Sequence, residues 1–255
     1  MKISIKSAVL VSAVLSAAAV LPVQVQAAPA DDTTVVLVHG AFADGSSWNK
    51  VIPLLQAKGL KVVAVQNPLS SLADDVVAVQ RVVDAQTGKV VLVGHSWGGA
   101  VITQAGVSDK IKALVYVAAF APSEGEALGT VGKDFPLPPG IPTLKPDAAG
   151  FVTLTPESYA ANFAQDLPAA TTAVLATGQG LFPAKAFEEP ITVAAWKSKP
   201  NYYIVASKDR MIDPGLQQAF AKKLNAVTTT VPTSHVPMLS QPKAVADVIL
   251  AAVKR

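Results

Sequence analysis

The stretch Lys89-Val-Val-Leu-Val-Gly-His-Ser-Trp-Gly-Gly-Ala-Val-Ile-Thr-Gln-Ala105 passes from a strand pattern to a helix pattern with almost no turn between them. Lys89 to Val93 reads as a strand. Trp97 to Val107 reads as a helix. Between them, Gly94-His95-Ser96-Trp97-Gly98 fits the pattern G-x-S-x-G. A serine on so sharp a turn is held in a strained backbone conformation, and flanking side chains would collide. Gly94 and Gly98 remove those side chains, and Gly99 lets the helix pack closely. The turn pushes the Ser96 hydroxyl into the open at a helix N-terminus, where partial positive charge favours a developing anion.

The alternation extends outward on both sides. Thr33 to Val38 and Leu60 to Val65 are strand-like, and a helical stretch between them, Trp48 to Lys58, stops at Gly59. Ser70 to Thr87 reads as a helix with Val76, Val79 and Val83 on one face and Gly88 as its C-terminal stop. Ile111 to Ala118 is the next strand. Tyr202 to Ala206 comes much later, followed by a helix from Pro214 to Leu224, a short strand from Val227 to Val231 and a closing helix from Pro242 to Val253. Strands joined by helices predict an α/β fold with a doubly wound, mostly parallel sheet.

The rhythm breaks between Pro122 and Pro200, a span holding 11 of the 19 prolines. Connections of that length inside one domain are usually lids or binding insertions. Residues from about 122 to 195 are expected to form a helical cap over the sheet's C-terminal edge, with short helices at Tyr159 to Gln165 and Ala169 to Ala176. Phe135, Phe151, Tyr159, Phe163, Phe182 and Phe187 favour a packed cap over a disordered linker, because they need something to pack on.

Composition removes several function classes. The chain has 255 residues, 51% of them hydrophobic and 15% charged, with no cysteine. Intrinsic disorder, a disulfide scaffold and a thiolate zinc site are all excluded. Lys2 and Lys6, the apolar run Ser7 to Leu21, Pro22 and the small residues of Val25-Gln26-Ala27 form the three-part pattern of a secretory signal peptide. The expected organisation is a signal over residues 1–27 and one domain over 28–255. The expected location is the periplasm or the medium, with no stable membrane insertion once the signal is removed. Without Lys2 and Lys6 the chain carries 19 basic side chains against 18 acidic ones, so its basicity is no argument for nucleic acid as a partner.

A serine hydroxyl is a weak nucleophile at neutral pH and needs a base. Three histidines are available. His39 ends the first strand, and His95 adjoins Ser96 on a turn where neighbours point apart. His235, between the last strand and the last helix, is the expected base. The base needs an acceptor that holds its tautomer. Asp209, just after the strand Tyr202 to Ala206, is the favoured acid. Asp213 precedes Pro214 and is a candidate helix N-cap, while Glu124 or Glu126 are further alternatives for the acid. Oxyanion donors are expected from the backbone N–H of Trp97 and, after His39-Gly40, that of Ala41. Phe42, Phe120, Trp97 and the cap aromatics are expected to wall the substrate pocket.

Val36-Leu-Val-His-Gly-Ala41 with Trp48, Gly94-His-Ser-Trp-Gly-Gly99, Lys208-Asp-Arg210 with Pro214, and Ser234-His235 through Gln241-Pro242 together resemble the α/β-hydrolase superfamily. The chain order Ser, Asp, His is also that superfamily's. The closest flavour is the branch of small cap-domain carboxylesterases similar to plant methylesterases and hydroxynitrile lyases. The resemblance implies Ser96 as nucleophile, Asp209 as acid, His235 as base, and Ala41 and Trp97 as the oxyanion hole, with no cofactor. It covers the mature chain except most of 122–195. Lyases of this branch resemble the pattern with threonine at position 40 and lysine at position 236; this chain has glycine and valine, which points to ester hydrolysis.

The expected activity is acyl transfer from a small or medium carboxylic ester to water. A cofactor-free perhydrolase or haloperoxidase could use the same triad, and an exported fold of this kind could also capture a hydrophobic ligand without turnover. A dehalogenase would need a carboxylate where Ser96 stands. Metal and nucleotide chemistry lack their motifs, H-E-x-x-H and G-x-x-x-x-G-K-[ST].

Overall fold

The computed structural model describes residues 32–255; the expected signal segment, 1–27, lies outside them. Along the chain run β1 (Thr34–Val38), α1 (Ile52–Gln56), β2 (Lys61–Val65), α2 (Leu72–Asp84), β3 (Val90–His95), α3 (Trp97–Ala105) and β4 (Ile111–Val117). A long insertion follows. It contains β5 (Phe151–Val152), α4 (Pro156–Ser158), α5 (Ala169–Thr177) and β6 (Phe182–Pro183). The chain then closes with β7 (Asn201–Ala206), α6 (Pro214–Lys223), β8 (Val227–Val231), α7 (Pro237–Ser240) and α8 (Pro242–Lys254).

Six strands make one sheet in the order β2-β1-β3-β4-β7-β8, and every pair is parallel. Every residue of β1 and β3 is buried, so both faces of the sheet centre are covered, and this is why these strands are unbroken apolar runs. β8, at the edge, reads Val-Thr-Thr-Thr-Val and is largely exposed. The strand order reverses between β1 and β3. In open α/β sheets the crevice outside the carboxyl ends of the strands at such a reversal is where ligands bind. Here it receives the segment from His39 onward, after β1, and Ser96, after β3.

Most elements follow the sequence pattern, and three of the differences have a clear local cause. The stretch expected as one helix from Trp48 to Lys58 divides into a 3₁₀ turn, Gly45–Trp48, and α1. Pro53 sits in the first turn of α1, where its missing N–H costs nothing. α2 is shorter than expected because Ser71 caps it, its hydroxyl accepting from Asp74 N–H, and because it ends at Ala85 rather than at Gly88. Gly88 is needed for another reason: a Cβ there would sit 1.7 Å from the Asp32 carbonyl oxygen. Third, the expected helix from Tyr159 to Gln165 is a five-residue π turn, Tyr159–Phe163, continuing from α4.

The insertion has a core of its own that merges with the main one. β5 and β6 pair antiparallel, with Val152 opposite Phe182. Tyr159, Phe163 and Phe182 are fully buried, and Phe182 packs edge-on against Trp97 with ring centroids 4.9 Å apart. The insertion aromatics thus pack on the turn that carries Ser96.

Candidate active site

Ser96 stands between β3 and α3 with φ +52° and ψ −120°, in the region that L side chains rarely adopt. Conformations of this kind cost about 1–3 kcal/mol and persist only where the surroundings over-determine them. Three backbone bonds do so here: Ser96 N–H donates to Val117 O, and Ser96 O accepts from Gly99 and Phe120. A Cβ on Gly98 would come within 2.6 Å of the Val38 carbonyl oxygen, so glycine is what allows α3 to seat against β1.

The structure brings the three expected side chains together. His235 Nε2 lies 2.8 Å from Ser96 Oγ, and its Nδ1 lies 2.7 Å from Asp209 Oδ2. Ser96 is 8% exposed, while His235 and Asp209 are 1% and 6% exposed. Asp209 accepts only, so Nδ1 carries the proton and Nε2 is left as the acceptor for the serine hydroxyl. Asp209 Oδ1 takes the N–H groups of Met211 and Ile212 at 2.7 and 3.1 Å. The loop after β7 therefore closes around its own carboxylate.

The other acid candidates are engaged elsewhere. Asp213 caps α6, accepting from Gly215 and Leu216 N–H. Glu124 accepts from Ala194 N–H and pairs with Lys197, and Glu126 accepts from Ser123 N–H and pairs with Lys223. The two remaining histidines hold backbone. His39 Nδ1 donates to Gly40 O and its Nε2 accepts from Asn67 N–H. His95 Nε2 donates to the backbone carbonyl of His235 at 2.8 Å, and burial holds its pKa well below the ordinary value, so it stays neutral.

Trp97 N–H and Ala41 N–H, the expected oxyanion donors, find no backbone acceptor among the described residues. The Trp97 indole is anchored: Nε1–H donates to Asp75 Oδ2 at 2.7 Å, and Asp75 Oδ1 takes Leu69 N–H. Asp75 is fully buried with no cation beside it among the described residues, and burial raises its pKa from 3.8 to about 6. Its folded-state pKa exceeds the unfolded one, so the folded state binds the extra proton between about pH 4 and 6. Stability carried by Asp75 is present below pH 4 and lost as pH rises through 6, a change of about 3 kcal/mol. Asp75→Asn should remove that dependence. Urea unfolding at pH 4.5 and 7.5 should show the variant gaining on wild type at the higher pH; a constant difference would contradict this.

Phe120 lines an apolar cavity of about 450 Å³, together with Leu128, Val131, Phe135, Met211 and Leu216. Phe42 does not line it. Phe42 is buried, with φ +60°, and packs edge-on against Phe163 and Phe182. A second cavity of about 230 Å³ lies beside His235, lined by Ala43, Asp44, Tyr159, Phe163, Val236 and Leu239. Phe163 packs against the His235 ring at 5.0 Å, held there by the π turn.

A Ser–His–Asp chain of hydrogen bonds at the reversal point of a parallel, doubly wound sheet defines an α/β-hydrolase. The alpha/beta hydrolase family matches residues 35–248, and the chain belongs to it. Methylesterase 2 of Arabidopsis thaliana is 29% identical over 85% of this chain and 94% of its own length. The pyrethroid hydrolase of Sphingobium wenxiniae is 26% identical over 85% of this chain and 86% of its own. The solved structure of a pyrethroid hydrolase from Sphingobium faniae superposes with a TM-score of 0.73 at 24% identity, covering 87% of this chain and 97% of that one. The chain is thus a carboxylesterase-like hydrolase of the small cap-domain branch.

Sequence reading missed Gln217, whose side chain reaches Asp209. A signal for it existed. Gln217, Phe220, Ala221 and Leu224 follow the 3.6-residue period, so a polar side chain falls on the buried stripe of α6.

Proposed function

We propose that the protein is an exported serine esterase that cleaves small to medium carboxylic esters bearing an apolar group, through an acyl-enzyme. The observation that carries this reading is the hydrogen-bonded run from Asp209 through His235 to Ser96. In the reaction Ser96 Oγ attacks the ester carbonyl and gives its proton to His235 Nε2. Oxygen charge develops against the N–H groups of Trp97 and Ala41, both directed by the turns after β3 and β1. His235 then protonates the departing alcohol, and afterwards deprotonates the water that releases the acid. Export rests on the sequence pattern of residues 1–27.

Hydrolysis rather than lyase chemistry is favoured by two positions. A Cβ at Gly40 would sit 2.7 Å from Ser96 Cβ, so a threonine there would displace the nucleophile. Val236 is buried and presents an apolar side chain to the smaller cavity, where a lysine would bring a charge.

No triad side chain lines the large cavity, but two of its lining residues, Phe120 and Met211, bond triad residues. Phe120 N–H bonds Ser96 O, and Met211 N–H bonds Asp209. Its apolar lining suits an alkyl or aryl group of the ester. Val131→Trp should fill it. For p-nitrophenyl hexanoate kcat/KM should fall about 10- to 200-fold, the range over which an apolar pocket discriminates, while the acetate ester is nearly unaffected. Equal loss on both esters would remove the cavity from the substrate path.

A further inference from the structure

The Asp209 carboxylate is held by more than its own loop. Gln217, on α6 and fully buried, donates from Nε2 to Asp209 Oδ2 at 2.7 Å. That oxygen is the one facing His235 Nδ1. The amide orientation is fixed by its other partners. Ala206 N–H, at the end of β7, can only donate, and it lies 2.9 Å from Gln217 Oε1. Nε2 therefore points the other way, and it also reaches Ile212 O at 3.0 Å. One side chain ties the end of β7, the loop after it and the carboxylate into a single rigid unit.

We infer that Gln217 is a positioning residue for ester hydrolysis, acting on the base through Asp209. This rests on the roles proposed above for Ser96, His235 and Asp209. With Gln217 in place both carboxylate oxygens are saturated, each taking two donors. The carboxylate cannot rotate, so its remaining direction at Oδ2 is the one along His235 Nδ1–H. Among the titratable groups about this unit, Asp213 caps α6 and Arg210 Nε donates to Asn162 Oδ1, so neither bonds the Asp209 carboxylate. Tyr203 of β7 donates its hydroxyl to Ala119 O and is pushed by burial well above the usual phenol range, and His95 is neutral.

Gln217→Glu is the sharp test, because it keeps the volume and the acceptor for Ala206 N–H. Its carboxyl can donate to Asp209 only while protonated. At pH 8 kcat should fall about 10- to 100-fold, the scale of one hydrogen bond to a charged group, with KM within about twofold. The ratio of variant to wild-type kcat should then rise as pH falls. Gln217→Met lacks the donor at every pH, so its ratio should stay flat. In a Ser96→Ala background, the NMR titration midpoint of His235 should lie higher for Gln217→Glu, because a second negative charge favours the imidazolium. If Gln217→Glu fails to fold, the split of kcat against KM in Gln217→Met carries the test. A pH-independent ratio in Gln217→Glu with an unmoved His235 midpoint would overturn the inference, as would a loss matching the fraction unfolded. A raised His235 midpoint in Gln217→Glu, together with a wild-type protein that cleaves no ester, would instead overturn the proposed function and leave the Gln217–Asp209 coupling standing.

Discussion

Ser96→Ala is expected to lower ester hydrolysis by about 10⁶-fold, the scale seen when the nucleophile of such a unit is removed. The melting temperature should hardly move. The Ser96 hydroxyl makes one hydrogen bond, to His235, and such a bond contributes about 1 kcal/mol to stability. The backbone strain at φ +52° is imposed by the bonds of Ser96 N and O and by the neighbouring glycines, all of which alanine keeps. Circular dichroism melts and p-nitrophenyl acetate assays on the same preparation check both halves. Parallel loss of activity and folded protein would make Ser96 a structural serine.

Asp209→Asn is expected to cost about 10⁴-fold in kcat, as a wrong imidazole tautomer does elsewhere. The geometry says why the asparagine cannot simply flip to suit. The Oδ1 position receives two backbone donors, Met211 and Ile212 N–H, which demand an oxygen there. The amide NH₂ is then forced into the Oδ2 position, where it meets His235 Nδ1. The histidine must accept at Nδ1 and carry its proton on Nε2, so it cannot take the proton of Ser96. Gln217 Nε2 would also face an NH₂ group. Asp213→Asn behaves differently, because the Asp213 Oδ1 that accepts from Gly215 and Leu216 can remain an oxygen. Its loss should be far smaller, and the reverse ranking would move the acid to Asp213.

The central sheet was legible because it is written in patterns that local physics dictates. β1, β3, β4 and β7 are apolar runs that only a doubly covered strand explains, and Ser96 follows from a glycine pattern with a steric cause. His235 was reachable by elimination among three histidines. Asp209 was less so. Asp209 and Asp213 lie four residues apart in one loop, and both accept backbone N–H bonds at a turn. Which one faces His235 is decided by how α6 docks beneath β7. The insertion was legible only as an interruption. Its π turn and its two-residue strands have little periodicity to detect, and they form because Phe163 and Phe182 pack on Phe42 and on the His95–Trp97 turn, with Tyr159 against Phe163. That same packing buries Phe42, expected as a pocket wall residue, between Phe163 and Phe182. Gln217 and Asp75 were hidden for a common reason. A polar residue in an apolar stripe reports its partner only when the partner's position in space is known.

Reaction of the purified protein with a fluorophosphonate, followed by mapping of the adduct by mass spectrometry, tests the proposed chemistry most directly. One adduct per chain on residue 96, appearing at the rate at which esterase activity disappears and absent in His235→Ala, is the predicted result. Full esterase activity with residue 96 unmodified, or inactivation through an adduct on a different side chain, would contradict it.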